Sequence, residues 1–194
     1  MIDKPHITGI ILAGGKSSRM GKDKGFLILN QKPFVQYSID ALQPLVSEIL
    51  IVSDNPEYDV FKCKRINDTT KNTGPVAGIY SGLKASSTKY NLVLSCDIPL
   101  ITSAILQKLI DNVDADSEII QIESNNKTMP LIALYKKQVE HAFYNSLQTH
   151  EKRLHVTVKA CNVKNIALEK ELEFHTMNVN TPNEFKIVKN AYND

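Results

Sequence analysis

The reading turns on one stretch, Ile7-Thr-Gly-Ile-Ile-Leu-Ala-Gly-Gly-Lys-Ser-Ser-Arg-Met-Gly-Lys-Asp-Lys-Gly25. Its opening, Ile7 to Leu12, is a short apolar run that stops at Gly14-Gly15, the pattern of a buried strand. Beyond the strand, Gly14, Gly15, Gly21 and Gly25 are interspersed with Lys16, Arg19, Lys22 and Lys24. Glycine lets the backbone approach a ligand closely, and amide N–H groups can then turn inward to form an anion-binding concavity. Cations packed this densely repel one another unless something negative sits among them, and a polyphosphate is the simplest candidate. A solvated basic loop is the plain alternative. The position at a strand end favours the ligand, because open α/β sheets bind ligands at the carboxyl ends of their strands. Two familiar phosphate loops do not match. Gly15 and Gly21 enclose five residues and Asp23 follows Lys22, so a Walker A loop is absent, and so is the Gly-x-Gly-x-x-Gly fingerprint.

Composition narrows the class. A chain of 194 residues with 42% hydrophobic and 23% charged residues is long enough for one full core. We read residues 1–194 as a single α/β domain of three layers, α/β/α, around a mostly parallel central sheet. A net charge of +2 is too small to point to nucleic acid or an anionic membrane as the main partner. Cys63, Cys96 and Cys161 are odd in number and widely spaced, which offers neither a disulfide framework nor a metal-binding pattern. No signal peptide opens the sequence and no apolar run approaches a membrane span, so a cytoplasmic location is expected. All 8 glycines lie at or before Gly82, in two clusters, as if two backbone segments approach one ligand.

Strand and helix patterns alternate outward from the loop. Phe26 to Leu29 is a short apolar segment closed by a turn at Asn30-Gln31-Lys32-Pro33. Val35, Ile39, Leu42 and Val46 recur at helical spacing. Glu48 to Val52 reads as a second buried strand, Arg65 to Asp68 as a short extended piece, and Asn91 to Ser95 as a third buried strand. Gly74-Pro75 opens a helix through about Ala85, with proline at its first position. Gly78 and Gly82 on that helix serve either close packing or a ligand at its first turn. Thr102 or Ser103 caps a helix whose core face is Ile105, Leu106, Leu109, Ile110 and Val113. Strands are expected near 118–122 and 131–135, a helix at about 137–149, one short strand and one helix within 151–176, and an extended piece from Phe174 to Val179. Thr181-Pro182-Asn183-Glu184 is a capping box that starts a final helix.

Asp97 directly follows the third apolar strand, at the same sheet edge as the basic loop. A carboxylate among phosphates is unfavourable unless a divalent cation lies between them, and Mg2+ is commonly held by one or two carboxylates with substrate phosphates completing its shell. A turn aspartate before Pro99 is the alternative. Cys96 reads as a small buried residue rather than a nucleophile. None of the histidines, His6, His141, His150, His155 and His175, falls in the candidate segments, and no Gly-x-Ser-x-Gly elbow is present. Attack by a phosphate on a nucleotide α-phosphate suits this inventory, since the nucleophile is already anionic and the work is positioning and charge neutralisation.

Leu12-Ala-Gly-Gly-Lys-Ser-Ser-Arg-Met-Gly-Lys-Asp-Lys-Gly25 resembles the signature loop of nucleotidyltransferases, most closely the molybdenum cofactor guanylyltransferases. Asn30-Gln-Lys-Pro33, Gly74-Pro-Val-Ala-Gly78, Cys96-Asp-Ile-Pro99 and Asn178-Val-Asn-Thr-Pro182 look like further motifs of that family in the right order. Residues 100–173 match by pattern alone. The resemblance implies a Rossmann-like nucleotidyltransferase fold that transfers GMP from Mg-GTP to the terminal phosphate of molybdopterin and releases pyrophosphate. It implies that the backbone at Leu12, Ala13 and Gly14 contacts the guanine nucleotide and that Lys24, assisted by Arg19, binds its phosphates. Asp68 would serve the nucleoside pocket and Asp97 would hold Mg2+. The region of Asn178 and Asn180 would face the pterin or complete the metal site. Relatives often carry Asn in the loop after the second strand, where this chain has Ser53, so that contact is not carried over. Arg153 is either a contact to a substrate phosphate or a surface salt-bridge partner. Leu-Ala-Gly-Gly and Gly74-Pro75 resemble the guanylyl-transferring branch, whereas Leu-Ala-Ala-Gly resembles the cytidylyl-transferring one. Transfer of another nucleotide or to another acceptor stays open, as does a non-catalytic nucleotide-binding module. The expected partners are GTP and molybdopterin, with transient contact to other molybdenum cofactor biosynthesis proteins, and the expected state is a monomer.

Overall fold

The computed structural model describes residues 4–14, 23–68 and 74–191. Among these residues, nine strands and six α-helices follow in chain order: β1 (Ile7–Leu12), β2 (Ile28–Leu29), β3 (Lys32–Pro33), α1 (Phe34–Leu42), β4 (Glu48–Val52), β5 (Lys64–Ile66), α2 (Pro75–Ala85), β6 (Tyr90–Ser95), α3 (Ser103–Asp111), β7 (Ile119–Ser124), β8 (Lys127–Lys136), α4 (Glu140–Gln148), α5 (Leu154–Lys159), β9 (Val163–Ala167) and α6 (Pro182–Ala191). Seven strands form one sheet in the order β5-β4-β1-β6-β8-β7-β9. The β5, β4, β1 and β6 strands run parallel, β8 runs antiparallel to both neighbours, and β9 is parallel to β7. The mostly parallel sheet is therefore present, with one reversed strand that places a hairpin beside the parallel half.

Every residue of β1 is buried. A strand covered on both faces reads as a continuous apolar run, which is why its sequence shows no alternation. Its side chains divide between the two cores: Ile7 and Ile11 pack with α1 and α3, Ile10 and Leu12 with α2, α4 and α5. Close approach on the second face depends on Gly82, where an added Cβ would lie 2.5 Å from Ile10 Cγ2. Gly82 thus serves packing. Gly78 does so too, against Leu12, while also reaching the cleft described below.

Several expected elements differ in detail. α1 ends at Leu42, so Val46 is buried from a turn rather than from the helix. The Phe26–Leu29 segment yields a two-residue strand paired with β3, and Phe26 itself lies in a 3-10 turn, Lys24–Phe26. Between 151 and 176 stand α5, β9 and a 3-10 segment, Lys170–Thr176. That segment takes in Phe174 to Thr176, where an extended piece was expected. The reason lies partly outside local sequence: Thr176 Oγ1 lies 2.7 Å from Glu173 O within the turn and is hydrogen-bonded at 2.8 Å to Ser124 Oγ of β7, which together hold the coil. The capping box forms as expected. The Glu184 amide donates to Thr181 Oγ1 at 3.2 Å, and Glu184 Oε2 accepts from the Thr181 and Asn180 amides at 2.8 and 2.7 Å.

Candidate active site

Parallel strands bring their carboxyl ends to one edge, and hydrogen bonds continue past the strands there. The Ala13 amide donates to Val52 O, Ser53 to Ile66 O and Cys96 to Leu12 O, at 3.0–3.1 Å. The three loops leaving β1, β4 and β6 are therefore held in register with one another. They border a cleft of about 710 Å³. Leu12, Ala13 and Gly14 form one wall, Ser53, Asp54 and Asn55 a second, and Gly74, Pro75 and Gly78 at the start of α2 a third. Asp68, Asp23, Ser95 and Asp97 also line it. Gly74 adopts φ +72°, ψ −158°, a conformation that is essentially restricted to glycine, and so turns the chain into α2.

Asp97 lines the cleft and is only 7% exposed. A buried carboxylate needs partners, and it has them. Ser95 Oγ donates to Oδ1 at 2.6 Å, Asn178 Nδ2 approaches the same oxygen at 3.5 Å, and Lys24 Nζ lies 3.0 Å from Oδ2. The Lys24 ammonium also donates to Asn180 Oδ1, so oxygens from two distant segments converge on one positive charge. The 178–180 segment is brought there by its backbone, because the Val179 amide donates to Asp97 O at 2.8 Å and the Val179 side chain is fully buried. Farther back, His175 Nδ1 lies 3.0 Å from Leu100 O and anchors the preceding turn.

The nearby thiol is quiet. Burial first, then the charges of Asp97 and Asp23, push the Cys96 thiol up far above its ordinary range, so it stays protonated and is no nucleophile. Asp68 lies on the cleft wall, where its carboxylate accepts from Ser81 Oγ at 3.2 Å and its amide donates to Asp54 Oδ1 at 3.1 Å. Arg153 is paired with Glu151 at 2.7 Å on the surface, the salt-bridge alternative. Arg19, Lys16 and Lys22 lie outside the described residues.

Three cleft residues had no sequence signal strong enough to single them out. Asp23 stands between two lysines, and its only mark in the sequence is to break the Walker A match. Asn55 looked like a turn residue, and it does cap the 3-10 segment Pro56–Phe61 through the Glu57 amide. Leu131 arrives by a bulge: β7 pairs Gln121 with Ala133 but Ile122 with Met129, which leaves Pro130–Ile132 displaced. Tyr135 Oη donates to Pro130 O at 2.7 Å and pins that displacement, and Leu131 reaches the cleft.

Among the described residues, no group of three or more His, Cys, Asp or Glu side chains forms a metal cage. A hard cation that keeps waters and substrate phosphates as ligands needs no such cage. Lys24 marks the point where the Asp97 and Asn180 oxygens meet, and this donor set suits Mg2+.

The MobA-like NTP transferase domain matches residues 9–161. The probable molybdenum cofactor guanylyltransferase of Flavobacterium johnsoniae is 35% identical over 178 residues, covering 92% of this chain and 94% of that protein. The molybdenum cofactor guanylyltransferase of Vibrio vulnificus is 31% identical over 185 residues, covering 93% and 94%. The crystal structure of molybdopterin-guanine dinucleotide biosynthesis protein A from Archaeoglobus fulgidus has the same fold, with a TM-score of 0.82 at 20% identity over 96% of this chain and 98% of that one.

Proposed function

The chain belongs to the MobA-like NTP transferase family, and we propose that it is a molybdenum cofactor guanylyltransferase that transfers GMP from GTP to the phosphate of molybdopterin. The observation that carries this reading is the meeting of Lys24 and Asn180 with Asp97, which lines the same cleft as Leu12–Gly14. A backbone wall suits a nucleotide lying along the sheet edge, and Asp68 on the opposite wall suits its nucleoside part.

In the reaction, an acceptor phosphate oxygen forms a bond to the α-phosphorus of GTP. The bond from that phosphorus to the bridging oxygen breaks, and pyrophosphate leaves with the electron pair. The attacking phosphate is already anionic, so no general base is required. Lys24 binds and neutralises the phosphates, with Arg19 assigned beside it on the sequence motif. Asn178 and Asn180 face the acceptor. Asp97, together with Asn180, would hold Mg2+, and the bound ion would neutralise developing charge on the phosphates. Ser95 orients the Asp97 carboxylate through its 2.6 Å bond. The reading places the reaction in the cytoplasm, with transient contact to other proteins of molybdenum cofactor biosynthesis. Among the described residues no helix is long and apolar enough to cross a membrane.

A nucleotide-by-acceptor assay tests it. Purified protein is given Mg2+, one nucleoside triphosphate and molybdopterin, and pyrophosphate release is followed. Release should be fastest with GTP and should need molybdopterin. A preference for CTP would move the protein to cytidylyl transfer, and no release with any nucleotide would leave a binding module.

A further inference from the structure

Lys24 is two-sided: its ammonium meets the Asp97 carboxylate, which lines the cleft, while its backbone belongs to the short 3-10 turn Lys24–Phe26. A long flexible side chain places its charge only as well as its Cα is placed, so what fixes this turn matters. The turn is capped by Asp23, whose Oδ1 accepts from the Gly25 amide at 3.1 Å. The same oxygen accepts from the Tyr58 hydroxyl at 2.6 Å, and Oδ2 accepts from Asn55 Nδ2 at 3.3 Å. Tyr58 is fully buried, and its ring packs on Phe26 with centroids 4.6 Å apart. It therefore grips the turn from both ends, by its hydroxyl at Asp23 and by its ring at Phe26. Between the two grips a Cβ on Gly25 would lie 2.1 Å from the Tyr58 oxygen, so only glycine fits under the hydroxyl. Burial first, then the hydrogen bond to and the charge of the Asp23 carboxylate, push the Tyr58 phenol far above its ordinary range, which keeps it a donor throughout the working pH range.

We propose that Tyr58 is a positioning residue for nucleotidyl transfer: its hydroxyl, through Asp23, locks the turn from which Lys24 reaches the substrate phosphates. Tyr58 touches no cleft atom of Lys24 and acts through the backbone of residues 23–25. The hydrogen bond to an ionised carboxylate is of the strong kind, and its loss in a pre-set site costs roughly tenfold or more in rate. The inference rests on the guanylyltransferase reading, and the test separates the two.

The experiment is a double-mutant cycle of Tyr58→Phe and Lys24→Ala, read as kcat/KM for GTP with molybdopterin and as Mg-GTP affinity by calorimetry. Tyr58→Phe keeps the ring contacts with Phe26. It should stay folded at the assay temperature, with an unfolding midpoint lowered by a few degrees, yet lose about tenfold in kcat/KM. In the Lys24→Ala background it should cost nothing further, because the group it positions is gone. Asp23→Asn provides a second arm: its loss should not add to that of Tyr58→Phe. Undiminished kcat/KM in Tyr58→Phe overturns the inference. So does an equal cost with and without Lys24, which would mark a general structural effect. Wild-type protein that neither binds nor turns over Mg-GTP overturns the nucleotide reading, and the inference falls with it.

Discussion

The two halves of the sheet contribute to the cleft in opposite ways. The parallel half, β5-β4-β1-β6, supplies nearly all of its described lining from strand ends, the loops after them and the start of α2. The other half, β8-β7-β9, supplies Leu131 by a bulge, and the chain returns after β9 to bring Asn178 and Asn180 to Lys24 and Asp97. In the first half position follows from being at a strand end. In the second it follows from side-chain and main-chain bonds between residues far apart in sequence. The first arrangement is anchored on buried apolar strands. The second reaches Lys24 and Asp97 through the polar side chains of Asn178 and Asn180, and it is the half that can be tuned without rebuilding the core.

The sharpest break of this contrast is at the junction of the halves. Asp97→Ala removes the carboxylate that Lys24, Ser95 and Asn178 all meet. Turnover should fall by roughly a thousandfold, the scale of losing one pre-set electrostatic group, while circular dichroism and the unfolding midpoint stay close to wild type. Retention of turnover would remove Asp97 from the chemistry.

Two glycines in the parallel half separate crowding from backbone strain. Gly82→Ala drives a Cβ to within 2.5 Å of a fully buried Ile10 methyl, and overpacking of this kind costs about 1–3 kcal/mol. Gly74→Ala meets nothing within 4 Å but must hold φ +72°, which also costs roughly 1–3 kcal/mol. Denaturant unfolding measures both. Gly82→Ala should leave the GTP KM alone, whereas Gly74→Ala, at the cleft wall, should raise it. Equal effects on KM would mean that the α2 start and its middle are not distinguished by the ligand.

This division also explains what could be read in advance. β1, β4 and α2 have their expected boundaries, because a fully buried strand and a proline-started helix announce themselves locally. Lys24, Asp68 and Asp97 are on or at the cleft for the same reason: each stands directly beside a recognisable strand or loop. Asp23 and Tyr58 are 35 residues apart, and nothing in either neighbourhood signals the other. The reversed direction of β8 beside β6 and the bond from Thr176 to Ser124 were equally silent, since each joins segments distant in sequence, and the bulge that delivers Leu131 is an extra-residue irregularity inside a hairpin that no local pattern announces.

Thr176→Val is a milder break, aimed at the second half. It deletes the bonds to Ser124 Oγ and Glu173 O while keeping the shape of the side chain. A net loss of about 1 kcal/mol is expected. If the 170–176 turn does position the asparagines, the molybdopterin KM should rise about fivefold with GTP binding unchanged. An equal rise for both substrates would show that the two halves are not mechanically separate.

The smallest expected effect concerns the capping box that starts α6. The Asn180 amide, with help from Thr181, holds the Glu184 carboxyl below its ordinary range. A carboxyl whose folded pKa is depressed adds stability above its unfolded pKa and loses it as pH falls through the folded one. Glu184→Gln keeps the hydrogen-bonding shape at this helix position but removes the charge, so near neutral pH it should cost about 0.5 kcal/mol. Melting curves of the two proteins should converge as pH falls below the ordinary carboxylate range, where the wild-type charge is lost as well. A gap that persists in acid would mean that the cost of the variant does not come from the lost charge, and no gap at neutral pH would mean that Glu184 acts by shape alone. Because Glu184 grips the amide of Asn180 itself, the same variant asks how far the polar half depends on a short-range device. A change in molybdopterin KM larger than that of Thr176→Val would move the control of Asn180 from the long-range bonds to the helix cap.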